Sequence, residues 1–259
     1  KIDTKLFIKN RKNFVNKLER KSIAFFNSND IYPISADSTL PFDQHRDIFY
    51  LSGIDQEESL LVLFPDSKDI AYKEMLFIRE TNEYITHWEG EKLTKEQAKN
   101  ISGINNIFWI GEFVDILKEV LSQADFVYIN TNEHYRQNVQ TQTREDRFIN
   151  RLKNINGLKF KKSNPILQKQ RSVKDQIEIE LIKNACEITK KGFERVLTFI
   201  KPGVWEYEIE AEFSHEFLRN RSRRFAYTPI IASGRNSNFL HYVYNNKQCL
   251  DGEIVLMDV

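Results

Sequence analysis

The sequence has no long apolar run, no surplus of either charge and no cysteine pattern, and each lack removes a class of protein. No stretch approaches the roughly 20 apolar residues that cross a bilayer. The beginning, KIDTKLFIKNRKN, lacks the apolar centre of a secretory leader. No membrane partner is therefore expected. The 38 Lys and Arg against 37 Asp and Glu leave a net charge of +1, so no overall field draws nucleic acid or an anionic surface. Cys186 and Cys249 stand far apart without CxxC spacing, which fits a reduced, cytoplasmic setting better than a disulfide scaffold. There is also no internal repeat, no low-complexity tract, no glycine-rich phosphate loop and no GxSxG elbow.

What is present is a chain of 259 residues, 41% hydrophobic, long enough for two domains with filled cores. Leu6, Phe14, Val15 and Leu18 recur at three- and four-residue spacings from Thr4 to about Arg20 and predict an amphipathic helix. SIAFFNS, RDIFYLSG, SLLVLFP, EMLFIRE, NIFWIG and DFVYIN, separated by Asn, Asp, Gly and Pro, read as strands of a mixed sheet. EKLTKEQAKN, EFVDILKEVLSQA and TREDRFINRLKN have helical spacing. Strands alternating with helices predict an α/β layer structure for roughly the first 160 residues.

The polar run KKSNPILQKQR, broken by Asn164 and Pro165, places a boundary between 1–163 and 164–259. Ser172 with Asp175 reads as a helix start, and Ile177, Leu181, Ala185, Ile188, Phe193, Val196 and Leu197 mark one face of a long helix. Pro202 and Gly203 stop it. A second helix from about Val204 to Asn220 aligns Ile209, Phe213 and Phe217. FAYTPIIASG then reads as a strand closed by Gly234, and Glu253 to Val259 as a buried strand. A buried strand without a return turn leaves backbone groups in need of partners, so a continuation of the domain is expected.

In PIIASGRNSNFLHYVYNNKQCLDGEIVLMDV, His241 and Asp258 would sit at the mouths of neighbouring strands, aimed at a cleft. Spacing alone leaves His241 open as an ordinary hydrogen-bonded histidine and Asp258 as a turn or cap residue. The segments VKDQIEIELIKNACEITKKGF, KPGVWEYEIEAEF, SGRNSNFLHY and GEIVLMDV together resemble the opening half of the pita-bread domain of Xaa-Pro aminopeptidases, prolidases, creatinases and methionine aminopeptidases. SADSTLPFDQHRDIFYLSGIDQEESLLVLFPD is similar to the Xaa-Pro aminopeptidase version of a creatinase-like amino-terminal domain.

The resemblance implies a mixed sheet flanked by helices, followed by an incomplete α+β pita-bread domain. It implies Asp258 as the first carboxylate ligand of a pair of divalent metal ions, and His241 as the histidine that orients substrate or stabilises the intermediate. Manganese suits such a carboxylate-rich site, and cobalt or zinc is admitted. Two ions can activate water and polarise a carbonyl. The remaining ligands, a second aspartate, a histidine and two glutamates, would follow Val259. Trp88, in ITHWEGEKLT, resembles an aromatic placed near the substrate cleft, with a core anchor or a subunit contact as the alternative. The implied substrates are peptides with proline in second position, cut by a homo-oligomer, dimer or tetramer. A dipeptide-specific prolidase and a non-catalytic peptide-binding relative are the rivals.

Other candidates are weaker. His215 and Glu216 begin an HExxH-like string, but position 219 is Arg. His87 and Glu89 flank Trp88 on what reads as a strand or loop, without further ligands. Arg219 to Arg224 reads as a solvated helix end, and His45 as structural.

Overall fold

Asp3 accepts a hydrogen bond from the Lys5 N–H at 2.9 Å and so starts helix α1 (Thr4–Val15), which buries Leu6, Phe7 and Phe14. The computed structural model describes residues 2–134, 140–155 and 157–259. The chain forms two compact units, 1–175 and 176–259.

In the first unit α1 is followed by β1 (Ser22–Asn27), a small hairpin of β2 (Pro33–Ser35) and β3 (Ser38–Thr39), α2 (Arg46–Ser52), β4 (Leu60–Leu63), β5 (Glu74–Ile78) and α3 (Glu83–Glu89). Then come α4 (Lys95–Ser102), β6 (Asn106–Trp109), α5 (Phe113–Leu121), β7 (Phe126–Ile129), α6 (Arg144–Lys153), β8 (Lys159–Lys162) and α7 (Asn164–Ser172). Six strands form one mixed sheet in the order β6-β5-β4-β1-β7-β8, in which β4 runs antiparallel to both neighbours and the other pairs are parallel.

Because β1 lies at the sheet centre with both faces covered, every residue of it is buried, as a continuous apolar run requires. Ala24 and Phe26 enter one core with Phe14, Ile48, Leu51 and Ala98. Ile23 and Phe25 enter the other with Val120, Leu121, Ile149 and Leu152. The mixed sheet flanked by helices is thus the expected one.

Three local expectations are corrected. RDIFYLSG is helix α2, because the buried residues Ile48, Leu51 and Ser52 lie three and four apart and His45 Nδ1 accepts from the Asp47 N–H. ITHWEG lies largely on helix α3, started by Asn82. Asn164 and Pro165 begin helix α7 and do not end regular structure, since proline is tolerated in a first helical turn. Leu167 of α7 is buried in the first core, so this unit continues past the expected 163/164 break to residue 175.

The second unit holds α8 (Gln176–Phe199), α9 (Glu206–Arg219), β9 (Ile230–Ser233) and β10 (Val255–Asp258). Ser172 closes α7, its hydroxyl bonded to the Lys169 carbonyl, and does not cap α8. Val196, Ile209, Phe213, Phe217, Ile231 and Cys249 form the core of this unit. Gly192 lets the helices approach closely: an added Cβ would stand 2.8 Å from Phe213 Cδ1. Leu181 and Ala185, expected inward on α8, are exposed because this core engages only the carboxyl-terminal half of the helix, and Leu197 is exposed because Val196, its neighbour, takes the inward face of the last turns. β10 pairs antiparallel with β9 in a two-stranded sheet and alternates between half-buried and exposed residues. The last segment is therefore not the fully buried strand expected.

Candidate active-site segment

Between β9 and β10 the chain runs through one tight turn of helix, Gly234–Asn238, and then irregular backbone carrying His241. His241 is exposed and sits in a turn, not at a strand mouth as its sequence context predicted. Asp258 does stand at the end of a strand, where it is exposed and accepts a hydrogen bond from the Tyr227 hydroxyl. That bond, with burial second, raises the Tyr227 pKa.

Two buried groups hold the loop. Glu206, in the first turn of α9, is fully buried. It accepts from Ser233 N at 2.6 Å, Ser233 Oγ at 2.8 Å, the Tyr242 hydroxyl at 2.7 Å and Lys247 N at 2.9 Å. Burial alone would push its carboxyl up, yet these hydrogen bonds hold it below the usual carboxylate range. Tyr242 is next to His241, so Glu206 ties the histidine's own segment to the second unit's helices. Asn245 supplies the second anchor: Oδ1 accepts from Ile231 N at 2.9 Å, and Nδ2 donates to Glu210 Oε2 at 2.7 Å and to the Pro229 carbonyl at 3.1 Å. It does so with φ of 46°, a left-handed conformation that asparagine tolerates better than most residues.

Lys247 Nζ bonds both oxygens of Glu253 at 2.8 and 2.9 Å. An added Cβ on Gly234 would lie 2.3 Å from Glu253 Oε1, and the residue has φ of 52°, so glycine suits the place where this ion pair crosses. Sequence reasoning missed Glu206, Asn245, Tyr227, Lys247 and Glu253. The partners of Glu206, Asn245 and Tyr227 lie 14 to 41 residues away, Lys247 and Glu253 meet across a turn with no regular period, and only the acid in the first turn of α9 was readable as a helix-start preference.

In the first unit, Trp88 on α3 is 71% exposed, with ring centroids 6.4 Å from Tyr84 and 5.5 Å from His87. It is not a core anchor. Its helix is held by Glu89, which receives Arg79 through both oxygens at 2.6 and 2.8 Å, while Arg79 and Lys92 share Glu57 at 3.0 and 2.7 Å. The hydrogen bonds from Arg79 lead the causes that lower Glu89's pKa. Glu89 is thus a structural ion-pair partner. His215 is exposed on α9 and Glu216 accepts from Asn220 Nδ2 at 2.7 Å, consistent with helix surface.

No three His, Cys, Asp or Glu side chains converge on a metal-sized site among the described residues. Asp258 offers one exposed oxygen donor, which suits a hard cation, but one carboxylate is not a centre. The described residues by themselves do not fit a two-ion site.

Two family descriptions match this geometry unit by unit. Residues 7–128 match "Aminopeptidase P, N-terminal domain" and residues 180–259 match "Metallopeptidase family M24". Xaa-Pro aminopeptidase from Haemophilus influenzae is 29% identical over 222 residues, covering 86% of this chain and 49% of the relative. A Bacillus anthracis structure assigned to aminopeptidase P superposes with a TM-score of 0.90 at 27% identity, over 99% of this chain and 61% of that one. Aminopeptidase P from E. coli with the inhibitor Pro-Leu does so with a TM-score of 0.86 at 27% identity, over 100% and 59%.

The class is therefore a two-module one, an aminopeptidase P amino-terminal domain joined to part of a metallopeptidase catalytic domain. The chain thus carries an aminopeptidase P amino-terminal domain and part of a family M24 metallopeptidase domain, and is similar to Xaa-Pro aminopeptidases at about 29% identity. It spans about half the length of the curated relatives it matches.

Proposed function

We propose that the whole protein hydrolyses the peptide bond between an amino-terminal residue and a following proline. The observation that carries this reading is the order of the two modules in one chain, with the loop bearing His241 and the strand ending in Asp258 both built in the second. Proline lacks an N–H and its ring fixes φ, so a protease that grips backbone hydrogen-bond donors fits it badly and a dedicated pocket is needed.

In this reading Asp258 supplies one carboxylate ligand to a pair of divalent ions, manganese as the native metal, and the other ligands come from outside the described residues. His241 contacts the substrate or the developing oxyanion. The anchoring of Tyr242 by Glu206 and of Asn245 by Glu210 supports this role, because a side chain that positions substrate needs a fixed loop. Exposed Trp88 contacts substrate or a neighbouring subunit of a homo-oligomer, and Cys186 and Cys249, both free, suit a cytoplasmic setting.

The test is a comparison of Ala-Pro-Ala with Ala-Pro as substrates of the whole protein. Release of alanine from the tripeptide is expected. Cleavage of the dipeptide alone would establish a prolidase, and cleavage of neither would leave a non-catalytic relative.

A further inference from the structure

The first unit contains a cleft of about 320 Å³ for which the proposed peptidase reaction has no use. Arg144, Arg147 and Arg151 of α6 line it together with Asn27 and an apolar set that includes Leu60, Ile110, Phe113 and Phe148. Spacings of three and four residues bring the three arginines onto one face of the helix. The aromatic wall is itself packed: Phe113 and Phe148 lie 5.9 Å apart, and Phe25 backs them at 6.3 and 5.1 Å. The floor is thus formed by packed side chains of the core.

The cations are unequally satisfied. Arg147 donates to Asp30 Oδ1 at 2.7 Å and to the Gln142 carbonyl at 2.9 Å. Arg144 is half-buried, and its guanidinium makes no hydrogen bond among the described residues. Burial lowers its pKa; Glu58 and Asp30 oppose the shift, and Arg147 and Arg151 reinforce it. Arg151 is exposed and has no ion pair among the described residues. A guanidinium presents five donors in a planar fork that matches carboxylate and phosphate oxygens two at a time, so donors facing the cleft without a protein acceptor are available to such a group. The cleft's volume is at the small end of ligand pockets, which run from about 300 to 1,000 Å³. That selects a single-ring molecule over one of nucleotide size.

From the unpaired arginines above a packed aromatic floor, we infer that this cleft binds a small aromatic anion, an aryl phosphate or aryl carboxylate. The oxyanion meets Arg144 and Arg151 while the ring lies against Phe113 and Phe148. The inference does not depend on the peptidase reading, and its failure would leave that reading untouched.

Titration calorimetry on the full chain with phenyl phosphate, inorganic phosphate and benzyl alcohol tests it. Phenyl phosphate is expected to bind at least about tenfold more tightly than either fragment, since charge and ring each contribute. Arg144→Gln is expected to weaken it by about tenfold or more, the loss of one charge-assisted pair. Arg151→Gln changes an exposed residue and so tests the site even if the Arg144 variant folds poorly; several-fold weakening is expected. Absence of phenyl phosphate binding, equal affinity for inorganic phosphate, or unchanged affinity in Arg151→Gln together with a folded Arg144→Gln would each overturn the proposal.

Discussion

Replacing Glu206 by alanine removes an acceptor shared by five donors, of which Asn236 Nδ2 at 3.5 Å is the weakest, and the structure sets the size of the loss. The Ser233 and Tyr242 hydroxyls can turn to other partners, and Tyr242 already lies 3.2 Å from Asn246 Oδ1. The backbone N–H groups of Ser233 and Lys247 cannot turn. Each donor left unsatisfied in a buried place costs about 1 to 3 kcal/mol. Loss of an acid from the first turn of α9 adds about 0.3 to 1 kcal/mol. Allowing for water entering the space left behind, Glu206→Ala is expected to destabilise the second unit by about 3 to 4 kcal/mol, in the large tail of single substitutions. Glu206→Gln keeps the shape and half the acceptor capacity and is expected to cost about 1 to 2 kcal/mol.

Urea unfolding followed by tryptophan fluorescence measures this, because Trp205 adjoins Glu206. Amide exchange at Ser233 and Lys247 localises it. A Glu206→Ala chain within about 0.5 kcal/mol of the parent, the range of ordinary surface changes, would refute the reasoning. The pH dependence has a fixed sign. A carboxyl held below its unfolded value near 4.3 stabilises above that pH and loses the contribution as pH falls through the folded pKa. The parent is therefore expected to lose stability in acid more steeply than Glu206→Gln.

Gly192→Ala reverses a usual rule: alanine ordinarily stabilises a helix by about 0.5 to 1 kcal/mol over glycine. Here its Cβ would press on Phe213, so a net loss of about 1 to 2 kcal/mol is expected in the same unfolding assay. Burial pushes the Glu145 carboxyl up to about 7 against hydrogen bonds from Asn27 and Asn130. Its stabilisation is present below the unfolded value near 4.3 and is lost as pH rises through 7. The unfolding free energy measured from pH 5 to 8 should therefore fall in the parent and be flatter in Glu145→Gln. Trp88→Ala should change stability by no more than about 0.5 kcal/mol, since the ring is exposed, and should raise KM in the whole protein if the ring meets substrate.

The strands SIAFFNS, SLLVLFP, EMLFIRE, NIFWIG and DFVYIN were legible because sheet burial demands apolar, β-branched or aromatic runs. The run of Ile209, Phe213 and Phe217 was legible because one helix face is buried. RDIFYLSG misled because seven residues carry both periodicities, and only the packing of Ile48 and Leu51 against the sheet selects the helix. Lys159–Lys162 escaped because an edge strand with three lysines has no apolar pattern to read. Within the candidate site, His241 and Asp258 stood out through resemblance. Glu206 and Asn245 did not, because they act through hydrogen bonds to residues up to 41 positions away, which no local pattern encodes.

The most direct measurement of the central claim is alanine release from Ala-Pro-Ala by the whole protein and by its Asp258→Asn variant, side by side with manganese supplied. The account predicts cleavage before proline in the parent. It predicts a loss of at least about a hundredfold in the variant, at little changed stability, because among the described residues the exposed carboxylate accepts a side-chain hydrogen bond from Tyr227 alone. Equal rates in the two proteins, or no cleavage by the parent, would contradict it.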